Sequence, residues 1–198
     1  MHLIEDRNIY DLITAFFVID ISNSERKNLD RKGKIYFYNS ISMISRSVIC
    51  GFIAPLFYIM IFGNLAGIMY TLIYNISFDD DLNILKGLFV ILSIIPSIIS
   101  QAFLYLIYAI RNRRFGIDFK GDYIINCFSR PMLNADILAA YVESVNFYYY
   151  FNNSDTEYLK SYGDYKNKIN DICIKDYLSI AYSICMITFI LFYIVNLL

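Results

Sequence analysis

The chain has 198 residues, of which 58% are hydrophobic and 18% charged, with a mean hydropathy of +0.47, far more apolar than a soluble domain, in which about a quarter of residues carry charge. Its 17 basic and 18 acidic side chains leave a net charge of -1, which excludes nucleic acid as a partner because phosphate binding needs a clear basic excess. The length suits one domain, and an ordinary soluble enzyme is not expected.

Met1 to Arg7 are mixed in charge and precede no apolar run ending in a small-residue cleavage site, so insertion into a membrane is expected to fall to the mature chain. Ile9, Leu12, Ile13, Phe16 and Phe17 share one helical face, and a charged stretch from Ser24 to Lys34 follows. Such a helix either lies on a membrane surface or packs on helix ends. Packing is favoured, since the polar face is poor in Lys and Arg.

Three stretches reach the roughly 20 apolar residues that cross ~30 Å of hydrocarbon: residues 48–74, 88–110 and 177–198, none containing an acid or a base. The expected fold is therefore all-α, a polytopic helical membrane protein with about three transmembrane helices plus cytoplasmic amphipathic helices. Pro55 and Pro96 remove backbone donors inside the first two runs, and such breaks persist in a membrane where a neighbour satisfies the freed carbonyl. Gly63, Asn64 and Gly67 divide the first run, which reads as a helix, a break and a second half. The spacing of Gly63 and Gly67 permits close helix contact, here within the monomer.

Basic residues set the orientation. Residues 1–46 hold seven, residues 75–86 only Lys86, and residues 111–176 nine. Segments 1–46 and 111–176 are accordingly expected in the cytoplasm, and the loop bearing Asp79, Asp80 and Asp81 outside with the C-terminus. The Asp triplet reads as a solvated turn, because a cation cage needs ligands converging from several directions. Arg111, Arg113 and Arg114 read as a topology anchor, with an anionic substrate as the alternative. Asn134 to Phe151 has a helical pattern ending in the aromatic cluster Phe147 to Phe151, whose rings suit an interfacial layer or a flat macrocyclic ligand. Asn152 to Asp176 reads as a loop leading into a helix.

The chemistry that is missing narrows the function. Cys50, Cys127, Cys173 and Cys185 form no C-x-x-C pair, and His2 is the one histidine, a pattern poor for zinc and for a disulfide scaffold. No phosphate-binding glycine loop, H-E-x-x-H or G-x-S-x-G occurs. A single histidine excludes Ser-His and Cys-His catalysis, and spans without ionisable groups disfavour a proton-coupled pump. Any site is expected in the polar segments or at helix ends.

The run from Ser45 to Tyr58, S-R-S-V-I-C-G-F-I-A-P-L-F-Y, continuing through Phe62-Gly63, Gly67 and Tyr70, resembles the V-x-G-x-I-A-P-L-F-Y core of the CbiB/CobD family, the membrane adenosylcobinamide-phosphate synthases of cobalamin biosynthesis. Ile95-Pro96-Ser97-Ile98-Ile99-Ser100 sits where that family has I-P-A-R-L-T, and Arg130-Pro131 with Asn134-Ala135 looks like its R-P-N-A-G segment with two residues inserted. Tyr148 to Tyr150, Gly163-Asp164 and Asp171-Ile172 follow the family's Y-Y-x-G, G-D and D-I order.

The resemblance implies an ATP-dependent amide-forming ligase of the cell inner membrane. It would join aminopropanol phosphate to the corrinoid adenosylcobyric acid, with ATP and Mg2+ as cofactors. It also implies Arg130, Asn134, Asp164 and Asp171 as substrate-binding positions, with no catalytic residue assigned. Where the family carries E-S-x-x-E-N-x-x-D-G, this chain has Ser42, Met43, Arg46, Ser47 and Cys50, and Tyr74-Asn75-Ile76-Ser77 replaces N-T-L-D. The family's earlier N-terminal membrane portion has no counterpart, so a second subunit is a candidate partner beside the lipid bilayer. The alternative is a non-catalytic regulatory or partner-binding membrane protein like the AmpE regulators, which share the A-P-L-F core.

Overall fold

The computed structural model describes residues 9–19, 37–77, 83–152 and 157–197; Met1 to Arg7, the charged stretch Ser24 to Lys34 and the Asp79 to Asp81 triplet lie outside these residues. The elements in chain order are α1 (Ile9–Ile19), α2 (Phe37–Val48), a π-helical turn (Ile49–Ile53), α3 (Ala54–Phe62), α4 (Asn64–Ile76), α5 (Asn83–Asn112), α6 (Tyr123–Ser129), α7 (Pro131–Val142), β1 (Phe147–Asn152), β2 (Glu157–Tyr162) and α8 (Asp171–Leu197). The protein is thus mostly helical, with one two-stranded antiparallel sheet among the described residues.

Among the described residues, three helices are long and apolar enough to cross a membrane: Ser40–Phe62, Asn83–Asn112 and Asp171–Asn196. The first begins before the apolar run 48–74 does and ends well short of it. Gly63, at φ 83°, breaks the run, and α4 folds back beside α3, where Tyr58 and Tyr70 stack with ring centroids 5.1 Å apart. Gly67 is required by this return, since a Cβ there would overlap the Ile59 side chain.

Both prolines leave a visible mark. Pro55 offers no N–H to the Gly51 carbonyl; the ladder loosens into the π turn, and the Ala54 amide donates to Ile49 O. Pro96 likewise frees the carbonyl of Leu92, and the Tyr58 hydroxyl donates to it at 2.7 Å. Tyr58→Phe is therefore expected to cost about 1–2 kcal/mol by leaving that carbonyl unpaired. Thermal unfolding of the purified variant measures this, and an unchanged melting temperature would contradict it.

Segment 111–176 is less peripheral than its polarity suggests. In α7 every residue except Met132 is buried, and the helix packs chiefly on α5 and α2. Ser97 and Gln101 of α5 both donate to the Pro131 carbonyl, at 2.9 and 3.4 Å. At the other end Arg111 bridges Glu143 at 3.1 Å and Asp176 at 2.6 Å, fastening α5, α7 and α8 together. Burial holds the Glu143 carboxyl above the usual carboxylate range, against the opposing pull of Arg111.

Two sequence expectations need correction. The helical pattern read from Asn134 to Phe151 stops at Val142; Ser144 takes φ 53°, and Phe147 to Asn152 forms β1, paired antiparallel with β2 so that Phe147 faces Tyr162. The aromatic run alternates, with Phe147 and Phe151 buried and Tyr148 and Tyr150 exposed, which is the period of a strand in residues that favour strands. The stretch from Asn152 to Asp176, read as a loop leading into a helix, contains β2 before α8 begins at Asp171. In α1, packing is through Leu12, Ala15 and Ile19 onto Leu56, Ile59 and Phe192, while Ile9, Ile13, Phe16 and Phe17 point outward.

Candidate functional site

The start of α7 sets a half-buried charge beside a buried one. Pro131 at the head of α7 supplies the fixed φ that begins a helix, and Arg130, with φ -143° and ψ 62°, is the non-helical residue at the α6–α7 junction. One turn and a half further on, Asp136 is the one acid of this apolar helix. It is only 7% exposed, and among the described residues no donor reaches its Oδ1. Burial pushes its carboxyl up to about 7, against the pull of the Ser42 and Ser45 hydroxyls and of Arg46.

These groups face a cleft of about 330 Å³ whose polar lining is Ser42, Arg46, Ser93, Ser129, Arg130, Asp136 and Tyr149. Helix α2 contributes Ser42 and Arg46, α5 contributes Ser93, and β1 brings in Tyr149. Each guanidinium lies over an aromatic ring: Arg46 Cζ is 5.9 Å from the Phe89 centroid and Arg130 Cζ is 5.0 Å from that of Phe151. Ser45, behind the cleft, hydrogen-bonds the Tyr177 hydroxyl at 2.8 Å and ties this wall to α8. The two guanidiniums suit an anionic group and a buried carboxylate suits an ammonium, while the Ser93 and Ser129 hydroxyls are already donated to the Phe89 and Ile125 carbonyls. The volume is at the small end for ligand sites, which admits a small molecule or one edge of a corrinoid.

Of the four positions taken from the sequence, Arg130 lines this cleft. Asn134 is buried, and its Nδ2 donates to Tyr123 O at 2.9 Å and to Cys127 Sγ at 3.2 Å, holding α6 onto α7. Asp164, just after β2, pairs with Arg114 at 3.6 Å. Asp171 is exposed as the first residue of α8, where its charge complements the helix dipole. Asn134, Asp164 and Asp171 do not line the cleft with Arg130. Arg111 and Arg114 both make ion pairs within the fold. Asp136 escaped the sequence reading, although a lone acid inside an apolar helical run is a recognisable signal.

Magnesium does not fit these residues. A hard cation takes about six oxygen ligands, whereas the cleft offers one carboxylate beside two guanidiniums, and among the described residues no three His, Cys, Asp or Glu side chains gather. The four cysteines are free thiols. Comparison of the chain with family models, curated proteins and solved structures gave no match.

Proposed function

We propose that this chain is a multi-pass protein of the cell membrane, of the adenosylcobinamide-phosphate synthase type, with its polar segments in the cytoplasm. On this reading it joins aminopropanol phosphate to the carboxyl of adenosylcobyric acid, with ATP as the energy source. One observation supports the proposal: three separated stretches at or beside the family resemblance supply Arg46, Arg130 with Pro131, and Tyr149 to one cleft. The charges there suit an aminoalkyl phosphate, with Arg46 and Arg130 for the phosphate and Asp136 for the ammonium.

A non-catalytic reading, on the pattern of the AmpE regulators, is favoured by a different observation, the lack of a carboxylate cluster able to hold a metal among the described residues. Complementation separates the two. A bacterium lacking its own cobinamide-phosphate synthase, supplied with adenosylcobyric acid, is expected to grow when it carries this chain, and to stop growing when it carries Arg130→Gln or Asp136→Asn. Absence of growth with the wild-type chain shown to be in the membrane would move the assignment to the regulator.

A further inference from the structure

We propose that the cleft holds the phosphate of its ligand by Arg46 and Arg130 directly, with no divalent cation between protein and ligand. The proposal rests on the reading above only in taking a phosphorylated small molecule as the occupant. The resemblance leads one to expect acids ahead of the I-A-P-L-F-Y core; here α2 presents Ser42 and Arg46 to the cleft instead. Arg130 reaches the same space from the α6–α7 junction, so cations from two separate elements converge there.

Both guanidiniums lie over rings, Phe89 for Arg46 and Phe151 for Arg130. At these distances the ring face attracts each guanidinium electrostatically and helps hold it at the cleft wall. The head of α7 also opens onto the cleft through Pro131, Met132 and Leu133, and a helix N-terminus adds a partial positive charge. Asp136 supplies the independent sign of a ligand: a carboxylate at 7% exposure that lines the cleft and whose Oδ1 meets no donor among the described residues. A cation introduced between such guanidiniums would be repelled by both and would find one carboxylate. A phosphate gains charge-assisted bonds from both, and the ammonium end of an aminoalkyl phosphate pairs the orphaned oxygen.

The test is calorimetric titration of the full chain in lipid nanodiscs with O-phosphoethanolamine, run in excess EDTA and again in excess magnesium chloride. Equal affinity in the two buffers is expected, with Arg46→Gln and Arg130→Gln each weakening binding by about tenfold or more. Arg46→Lys and Arg130→Lys, which keep the charge, guard against a folding defect and are expected to retain part of the affinity. Binding that appears only with magnesium, binding indifferent to both glutamine variants, or no binding by folded wild-type protein would each overturn the proposal. Magnesium-dependent binding alongside successful complementation would sink this inference alone. Magnesium-independent binding with failed complementation would sink the synthase reading alone.

Discussion

Asp136→Asn is expected to stabilise the folded protein as the pH rises, while removing the group proposed to pair with a ligand ammonium. The folded carboxyl is raised from 3.8 to about 7, so between those values the folded state keeps a proton that the unfolded chain has released. Stability supplied by that proton is complete below pH about 4 and is lost as the pH climbs to about 7, at up to about 1.4 kcal/mol per pH unit. Asparagine has the same shape and no charge to desolvate, so melting curves of the two proteins should lie close together in acid and diverge toward neutrality, the variant melting higher. A variant that melts lower than wild type above neutrality would show that the ionised carboxylate is held by its arginine neighbours instead. A buried group that lowers stability and sits in a cleft is the usual signature of a residue kept for function.

Gly163→Val should be the most damaging single change in the hairpin. Gly163 has φ 103°, a conformation that residues with a Cβ rarely adopt, and a Cβ there would overlap the Val145 carbonyl. Backbone cannot yield as a side-chain tip can, so a loss of about 3 kcal/mol or more is expected. Thermal unfolding together with amide exchange in β1 and β2 measures it. The hairpin carries Tyr149 into the cleft wall and Phe151 against Arg130, so the variant should also weaken the ligand binding proposed for the cleft; a melting temperature equal to wild type would show that the turn can relax.

The long apolar helices were legible because lipid imposes a one-dimensional rule, uninterrupted apolar length, that sequence displays directly. Gly63-Asn64 even marked the break inside the first run. What remained hidden was pairing between distant residues. The run Phe147 to Phe151 is as compatible with a helix face as with a strand until β2 is there to pair with it, and the deciding partner lies beyond a turn. The site was half visible: Arg130 stood out beside a proline, whereas Asp136 was concealed by its apolar neighbours. Asn134, Asp164 and Asp171 drew attention as polar landmarks, yet the fold uses them to fasten α6, to pair Arg114 and to begin α8.

The π turn at Ile49–Ile53 sets an angular phase between two halves of one rod. Such a turn accommodates one residue more than the α-helical ladder would, and a single residue corresponds to a rotation of about 100° around the axis. Ser42 and Arg46 therefore point where they do because of a count made above Pro55, while Leu56 and Ile59 keep their contacts with Phe192 below it. Deleting one residue there would leave the hydropathy of the span almost untouched and swing the upper half off its bearing, emptying the cleft wall of its hydroxyl and its guanidinium together.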